Sequence, residues 1–401
     1  MSEKLEKRLS VNMAGAKKSA IREILKLTQN PEIISFAGGL PAEASFPVAD
    51  IKICMNEILD EVGTKALQYG TTEGFDVLRE ELVKHYKSQG VDISIENIMI
   101  TTASQQGLDL AGKIFINPGD NVIVGLPSYL GGLSAFRSYG GQMVGIRFDE
   151  NGMDPVALEK KLHELSALDK LPKFIYLIPD FQNPAGITYP ESRRIELLKI
   201  AEKYDLLVIE DSPYRELRFD GKEQKMLYQL DNSGRVIILG TFSKILAPGF
   251  RMGWVIADKE IIDKFVTAKQ ATDLCTPAIL QMAVARYMQK GFLLKNLSNT
   301  IDMYREKRDL MLNCFREFMP EGITWTEPEG GLFLFLNLPE YMNAEELFHV
   351  AIKNKVAFVI GQVFHCDGSG TNTMRLNFSF PTHEQIREGV KRLADSIKSM
   401  L

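Results

Sequence analysis

Between about residues 47 and 291 the chain alternates stretches of helical periodicity with short apolar, β-branched runs at 97–101, 121–124, 174–178, 206–209, 236–239 and 253–257. Strands separated by helices predict an α/β fold with a mainly parallel sheet covered by helices on both faces. In open sheets of this kind ligands bind in the loops at the carboxyl ends of the strands. Ahead of this region lies one amphipathic segment, 19–27, whose apolar positions are Ile21, Ile24, Leu25 and Leu27; it ends before Asn30-Pro31 and reads as an arm or a short helix. Behind it comes a heavily charged helical stretch, 292–318, then the run Gly330-Gly331-Leu332-Phe333-Leu334-Phe335-Leu336, and then a helix, a strand and a helix to Leu401. The expected organisation is an amino-terminal arm (1–35) packing with the small domain, a large α/β domain (36–291) and a smaller α+β domain (292–401).

Composition narrows the partners. The chain has 401 residues, 45% hydrophobic and 25% charged, an ordinary globular balance long enough for two sizeable cores. Lysine and arginine number 47 against 52 acidic residues, and no run of five like charges occurs, so neither nucleic acid nor an anionic membrane is the expected partner. Small molecules are. Cys54, Cys275, Cys314 and Cys366 lie far apart with no Cys-x-x-Cys pair, which fits reduced thiols better than disulfides or a zinc site. The first ten residues are charged, and no apolar stretch approaches the ~18 residues of a membrane span. The expectation is a cytoplasmic protein that binds no metal.

Candidate chemistry clusters where the strands end. Lys244 lies in Thr241-Phe242-Ser243-Lys244, just after the 236–239 run, with Arg251 seven residues on. Apolar surroundings and a nearby cation lower an amine's pKa and make it a carbonyl-trapping nucleophile. Taken alone it is more often a surface charge. Ser104 and Gln105 follow the 97–101 run at the start of a helical pattern, where backbone amides bind anions, although taken alone the segment is better read as a plain N-cap serine. Residues 107–113 match P-loop spacing by accident, since Ile114 stands where Ser or Thr is required. Tyr129 follows a Pro-Ser turn and can lay its ring on a heteroaromatic ligand. Asn183, held before Pro184, can donate to a phenolate-like oxygen, or simply mark a turn. Asp211 ends an apolar strand, where a carboxylate requires a cationic partner; a protonated ring nitrogen is one answer and a helix cap another. Tyr214 lies three residues on. Arg375 alternates with apolar neighbours in a predicted strand, and its planar fork suits a carboxylate ligand or an internal ion pair.

Taken together, these segments resemble the fold-type I pyridoxal-phosphate aminotransferases, in the subgroup of kynurenine/2-aminoadipate and broad-range bacterial enzymes. The resemblance spans nearly the whole chain. It rests on Phe36-Ala37-Gly38-Gly39-Leu40-Pro41, Gln68-Tyr69-Gly70-Thr71-Thr72-Glu73-Gly74, Ser104-Gln105-Gln106, Gln182-Asn183-Pro184, Glu210-Asp211-Ser212-Pro213-Tyr214, Phe242-Ser243-Lys244, Pro248-Gly249-Phe250-Arg251 and Arg375. It implies pyridoxal 5′-phosphate as cofactor, residues 36–291 as its domain, and Lys244 as the Schiff-base lysine. Asp211 is then the partner of the pyridine nitrogen, Asn183 and Tyr214 contact the ring's phenolic oxygen, and Tyr129 stacks on the ring. Ser104, Gln105, Thr241, Ser243 and Arg251 hold the phosphate, with Tyr69 reaching in from a second subunit of a homodimer. Arg375 grips the substrate carboxylate with Asn183 assisting, while Gly39 and Arg22 of the amino-terminal arm lie near the substrate. The chain departs mildly from its relatives at Gly125 and Ser212, where acidic residues are common, and at Ile360-Gly361, where Pro-Gly is common.

The expected activity is ping-pong transfer of an α-amino group to a 2-oxo acid, with Lys244 as general base. Two alternatives use the same residues: a β-lyase or other Cα chemistry, and a non-catalytic protein that keeps the cofactor pocket. Amino donor and oxo-acid acceptor stay open.

Overall fold

In a computed structural model, residues 8–14 and 30–401 are described. The expected helix at 19–27, and with it Arg22, lies outside them. Fourteen strands occur among the described residues: β1 (Ile34–Ser35), β2 (Ile98–Thr101), β3 (Asn121–Leu126), β4 (Gln142–Asp149), β5 (Gly152–Met153), β6 (Phe174–Leu177), β7 (Leu207–Asp211), β8 (Val236–Thr241), β9 (Gly253–Ile256), β10 (Thr324–Trp325), β11 (Phe333–Asn337), β12 (Val356–Ala357), β13 (Val359–Ile360) and β14 (Thr373–Asn377).

The large sheet has the order β2-β9-β8-β7-β6-β3-β4-β5. The pairs β8–β7, β7–β6, β6–β3 and β3–β4 are parallel, while β9 runs antiparallel to both its neighbours and the two-residue β5 hairpins onto the edge. The mainly parallel sheet expected from the pattern is therefore present, as seven strands with β5 as an eighth. All residues of β2, β6, β8 and β9 are buried, the signature of a sheet covered on both faces. β4 was not expected. Its burial is mixed, with Gln142 and Arg147 exposed and only Ile146 buried, and such a strand carries no strong apolar run.

The topology gathers one edge. β2, β3, β6, β7 and β8 all point the same way, so their carboxyl ends lie together, and the reversed β9 brings its amino end to the same place. In register, Thr101 and Thr241 both pair with Gly253. Crossover helices Ala103–Phe115, Leu130–Ser138 and Glu191–Lys203 leave from this edge.

The charged 27-residue helix Phe292–Phe318 leads into the second sheet, the antiparallel β10-β11-β14-β13. The segment ahead of the large sheet is tied to this unit: β1 pairs parallel with β12, Phe36 N donates to Ala357 O at 2.8 Å, and Asn377 N donates to Phe36 O at 2.8 Å. Residues 37–40 are thereby carried across to the loops of the large sheet. All four cysteines are free thiols. Among the described residues no helix is long and apolar enough to cross a membrane.

Candidate active site

The loop after β8 presents Lys244, half-buried, whose Nζ donates to Gly39 O at 2.7 Å. Desolvation first, then the positive charges of Arg375 and Arg251, lower its pKa from 10.5 to about 8. The two contacts that define its setting are 131 and 205 residues away in sequence, so the lowered pKa is a product of the fold.

Asp211 ends β7 and is almost completely buried. Its Oδ2 accepts from Tyr176 OH at 2.7 Å, while Oδ1 is buried with no partner. Burial raises its pKa to about 7, against the opposing hydrogen bond from Tyr176. An unpaired buried carboxylate costs several kcal/mol, so the pocket is built for a cation that meets Oδ1. Tyr176 escaped the sequence reading. A tyrosine inside a wholly buried strand needs a partner for its hydroxyl, and that requirement was the available signal.

Arg375 of β14 is 2% exposed. Its Nη1 donates to Asn183 Oδ1 at 2.9 Å and its Nη2 to Ala37 O at 2.8 Å; Nε is buried without a partner. The guanidinium lies between two rings, 4.2 Å from the Phe333 centroid and 5.1 Å from that of Phe364. Burial lowers its pKa to about 10. Among the described residues no carboxylate pairs with it, which removes the ion-pair alternative and leaves a cation waiting for an anion. Asn183 then passes the contact on, its Nδ2 donating to Tyr214 OH at 3.2 Å. Tyr214 is buried, packs edge-on against Phe333 at 5.8 Å, and has its pKa raised by burial. Phe333 and Phe364 carry no polar atom, so nothing in their sequence context marked them.

An anion cradle lies at the other end of the same edge. Ala103, at φ 59°, opens helix Ala103–Phe115, and Ser104 and Gln105 occupy its first turn, where unsatisfied amides and the helix dipole favour negative charge. Thr241 Oγ1 donates to Met252 O at 3.1 Å and lies 2.9 Å from Ser243 Oγ. Arg251, left-handed at φ 48°, donates Nη1 to Ser243 Oγ at 3.4 Å and keeps an exposed guanidinium. A Cβ on Gly253 would lie 2.7 Å from Ser104 N and 2.6 Å from Gly240 O, so only glycine lets the strand and the helix start approach this closely. Left-handed backbone at Ala103 and Arg251 is strain of the kind concentrated at binding sites.

Tyr129 caps helix Leu130–Ser138, and its hydroxyl reaches Gln105 Oε1 at 3.4 Å, joining the two halves. Gln182 braces the Asn183 loop, through Nε2 to Pro127 O at 3.0 Å and Ala185 N to Oε1 at 2.7 Å. Of the expected residues that are described, Tyr69 stands apart: it is 80% exposed. At Gly125, one of the departures, a Cβ would meet the Phe148 ring at 2.4 Å, which bars any larger residue here.

The donor set therefore fits a planar, protonated heteroaromatic ring with an anionic arm: Asp211 for the ring cation, Tyr214 and Asn183 for a ring oxygen, and the Ser104–Arg251 cradle for the arm. Comparisons with known proteins agree. Residues 37–393 match the family model for aminotransferase class I and II. The chain is 47% identical to aromatic-amino-acid aminotransferase 1 of Thermococcus litoralis, over 98% of this chain and 94% of that protein. It is 41% identical to the 2-aminoadipate transaminase of Thermus thermophilus, over 96% and 94%. The crystal structure of Pyrococcus horikoshii kynurenine aminotransferase, with PMP and kynurenine, superposes with a TM-score of 0.96 at 47% identity, covering 100% of this chain and 99% of that one.

Proposed function

The chain belongs to the class I and II aminotransferases and works with pyridoxal 5′-phosphate, the cofactor of that family, and from this premise we propose how its own residues divide the reaction. Lys244 holds the cofactor and serves as general base; Asp211 keeps the ring nitrogen protonated; Asn183 and Tyr214 contact the ring oxygen. Ser104, Gln105, Thr241, Ser243 and Arg251 hold the phosphate, Tyr129 covers the ring, and Arg375 binds the α-carboxylate of the amino acid. The observation that carries this reading is the buried, anion-less Arg375, joined through Asn183 to Tyr214.

When bound, the cofactor supplies a carbonyl that takes up the amino group and a ring that draws electrons from Cα. Everything else falls to the chain. Arg375 presents its Nε and remaining Nη hydrogens to the substrate carboxylate, and the flanking rings of Phe333 and Phe364 exclude water, which strengthens that contact. This orients the Cα–H bond. Lys244, with its pKa lowered to about 8, is neutral in about a tenth of molecules at pH 7, far more than an ordinary lysine, and its Nζ can take the Cα proton and give it back. Asp211, buried and one-sidedly hydrogen-bonded, gains most by remaining ionised against a cation, so it opposes loss of the ring-nitrogen proton.

The donor is an α-amino acid and the acceptor a 2-oxo acid. Transamination is favoured over the lyase chemistry that the same residues permit, because relatives at 41–47% identity along nearly the whole chain are named aminotransferases. Residues 36–291 form the cofactor-binding unit and 292–401 the smaller one. A second copy of the chain supplies Tyr69, whose ring is exposed in a single copy.

The test is the absorption spectrum of the cofactor-loaded protein on addition of single amino acids without an oxo acid. The cofactor band is expected to bleach with those donors that the site accepts, with release of the matching 2-oxo acid. Release of pyruvate and ammonia from a cysteine conjugate, with no donor bleaching the band, would assign lyase chemistry instead.

A further inference from the structure

Three residues before Asn183, the Asp180 carboxylate is buried among three guanidinium groups. Arg194 clasps it with both ends of its fork, Nη2 to Oδ1 at 2.7 Å and Nη1 to Oδ2 at 3.2 Å. Arg215 Nη1 lies 3.4 Å from Oδ2, and Arg218 Nη2 lies 3.8 Å from Oδ1. Burial works against the charge on Asp180, yet Arg194 and Arg215 hold its carboxyl below the usual range. Desolvating so many charges is expensive, and well-packed apolar side chains of the same volume often do as well for stability. The cluster therefore calls for a role beyond stability.

Its connections supply one. Arg194, wholly buried, spends its other donors on Tyr189 O at 2.9 Å, Pro179 O at 3.2 Å and Lys225 O at 3.1 Å, clamping both ends of the 179–189 loop that carries Asn183. Arg215 directly follows Tyr214 in the chain and is fixed on its far side by Gln224 O at 2.7 Å and Glu223 Oε1 at 2.6 Å. Asp180 thus ties together, from behind, the two segments whose side chains meet in front as the Asn183–Tyr214 hydrogen bond. Among the described residues none of the four charged groups forms a hydrogen bond or ion pair with Lys244, Asp211 or Arg375.

We propose that Asp180 is a positioning residue: by holding the Arg194 clamp against Arg215 it sets the distance between Asn183 and Tyr214, and through Asn183 the aim of Arg375. The inference rests on the assignment of Asn183 and Tyr214 to the cofactor's ring oxygen. It extends that assignment to a residue that never touches the cofactor or the substrate.

Asp180→Asn keeps the shape and removes the charge. In the cofactor-loaded variant the pH midpoint of the cofactor's absorbance change is expected to shift by about one unit, since a ring oxygen with displaced partners changes its charge balance. KM for the amino donor is expected to rise about tenfold, the effect of ~1.4 kcal/mol, as Arg375 loses its brace. Tyr214→Phe alone also shifts the midpoint, and Asp180→Asn adds less in that background than it does alone, because the hydroxyl is gone and only Asn183 remains to be displaced. A lower melting temperature with midpoint and KM at their wild-type values marks a purely stabilising cluster and overturns the proposal. A Tyr214→Phe midpoint equal to the wild type's overturns the assignment of Tyr214, and the proposal with it. Should Asp180→Asn fail to fold, Arg215→Gln cuts the tie from the Tyr214 side, leaves the Arg194 clamp in place, and is judged by the same midpoint and KM.

Discussion

In the cofactor-free protein the Lys244 amine gives up its proton near pH 8, because burial and the charges of Arg375 and Arg251 make the ammonium form costly. Amine-reactive labelling of Lys244, followed by peptide mass spectrometry, is expected to rise through a midpoint near pH 8; a midpoint near the ordinary lysine value of 10.5 would refute the account. Asp211 makes the opposite prediction for stability. Its folded pKa, about 7, lies above the unfolded value of 3.8, so between those pH values the folded chain holds the extra proton and stability falls as pH rises. The slope from this one group is about 1.4 kcal/mol per pH unit. Asp211→Asn is therefore expected to melt higher than wild type at pH 8 without cofactor, with the difference much smaller at pH 5 and closing only near the unfolded value of 3.8, while transamination is lost. Equal melting differences at the two pH values would show that Asp211 carries no unpaired charge. Lys244 and Asp211 were both legible in the sequence, each placed just past an apolar strand; Tyr176 was not, because a tyrosine in a strand looks the same whether its hydroxyl has a catalytic partner or a structural one.

The strands and helices do their work at one junction, where β9, β8 and the start of helix Ala103–Phe115 converge on Gly253. Gly253→Ala puts a methyl group 2.6–2.7 Å from three backbone atoms, and backbone cannot swing aside as a side chain can. Overpacking of this kind costs typically 1–3 kcal/mol, and here it pushes Ser104 away from Thr241 and Ser243. Cofactor affinity, followed by fluorescence titration, is expected to fall at least about tenfold while the far-ultraviolet circular dichroism is unchanged; wild-type affinity in a well-folded variant would show that the helix start does not hold the phosphate. Most strands that build this junction were visible as apolar runs, since burial on both faces leaves no room for polar positions. β4 escaped because a strand of mixed burial, covered at its end only by the two-residue β5, mixes its residues.

At the scale of the whole molecule, Leu67 and Tyr69, just past the end of helix Val48–Ala66, are large side chains left 73% and 80% exposed in a single copy. The proposed dimer covers them and brings Tyr69 into the neighbouring site. Sedimentation at micromolar concentration is expected to give a dimer. Mixing Tyr69→Ala protein with Lys244→Ala protein is the sharper measurement, because each mixed dimer rebuilds one intact site only if Tyr69 acts across the interface. Random exchange then restores about a quarter of wild-type activity. Failure to restore any, with exchange shown by mass spectrometry, would show that Tyr69 does not act across the interface.

The order of elements, the parallel sheet and the residue types at the strand ends follow from the sequence by itself, because they express local periodicity and the cost of leaving a polar group at the end of an apolar run. The state of those residues does not. That Lys244 rests on Gly39, that Asp211 has one oxygen occupied by Tyr176 and one free, that Arg375 lies between Phe333 and Phe364 with no carboxylate beside it, and that Asp180 gathers three arginines behind Asn183 are all decided by contacts between segments far apart in the chain. Charge, burial and hydrogen-bond supply at a point depend on everything that folds around it, and only the tertiary structure brings that together.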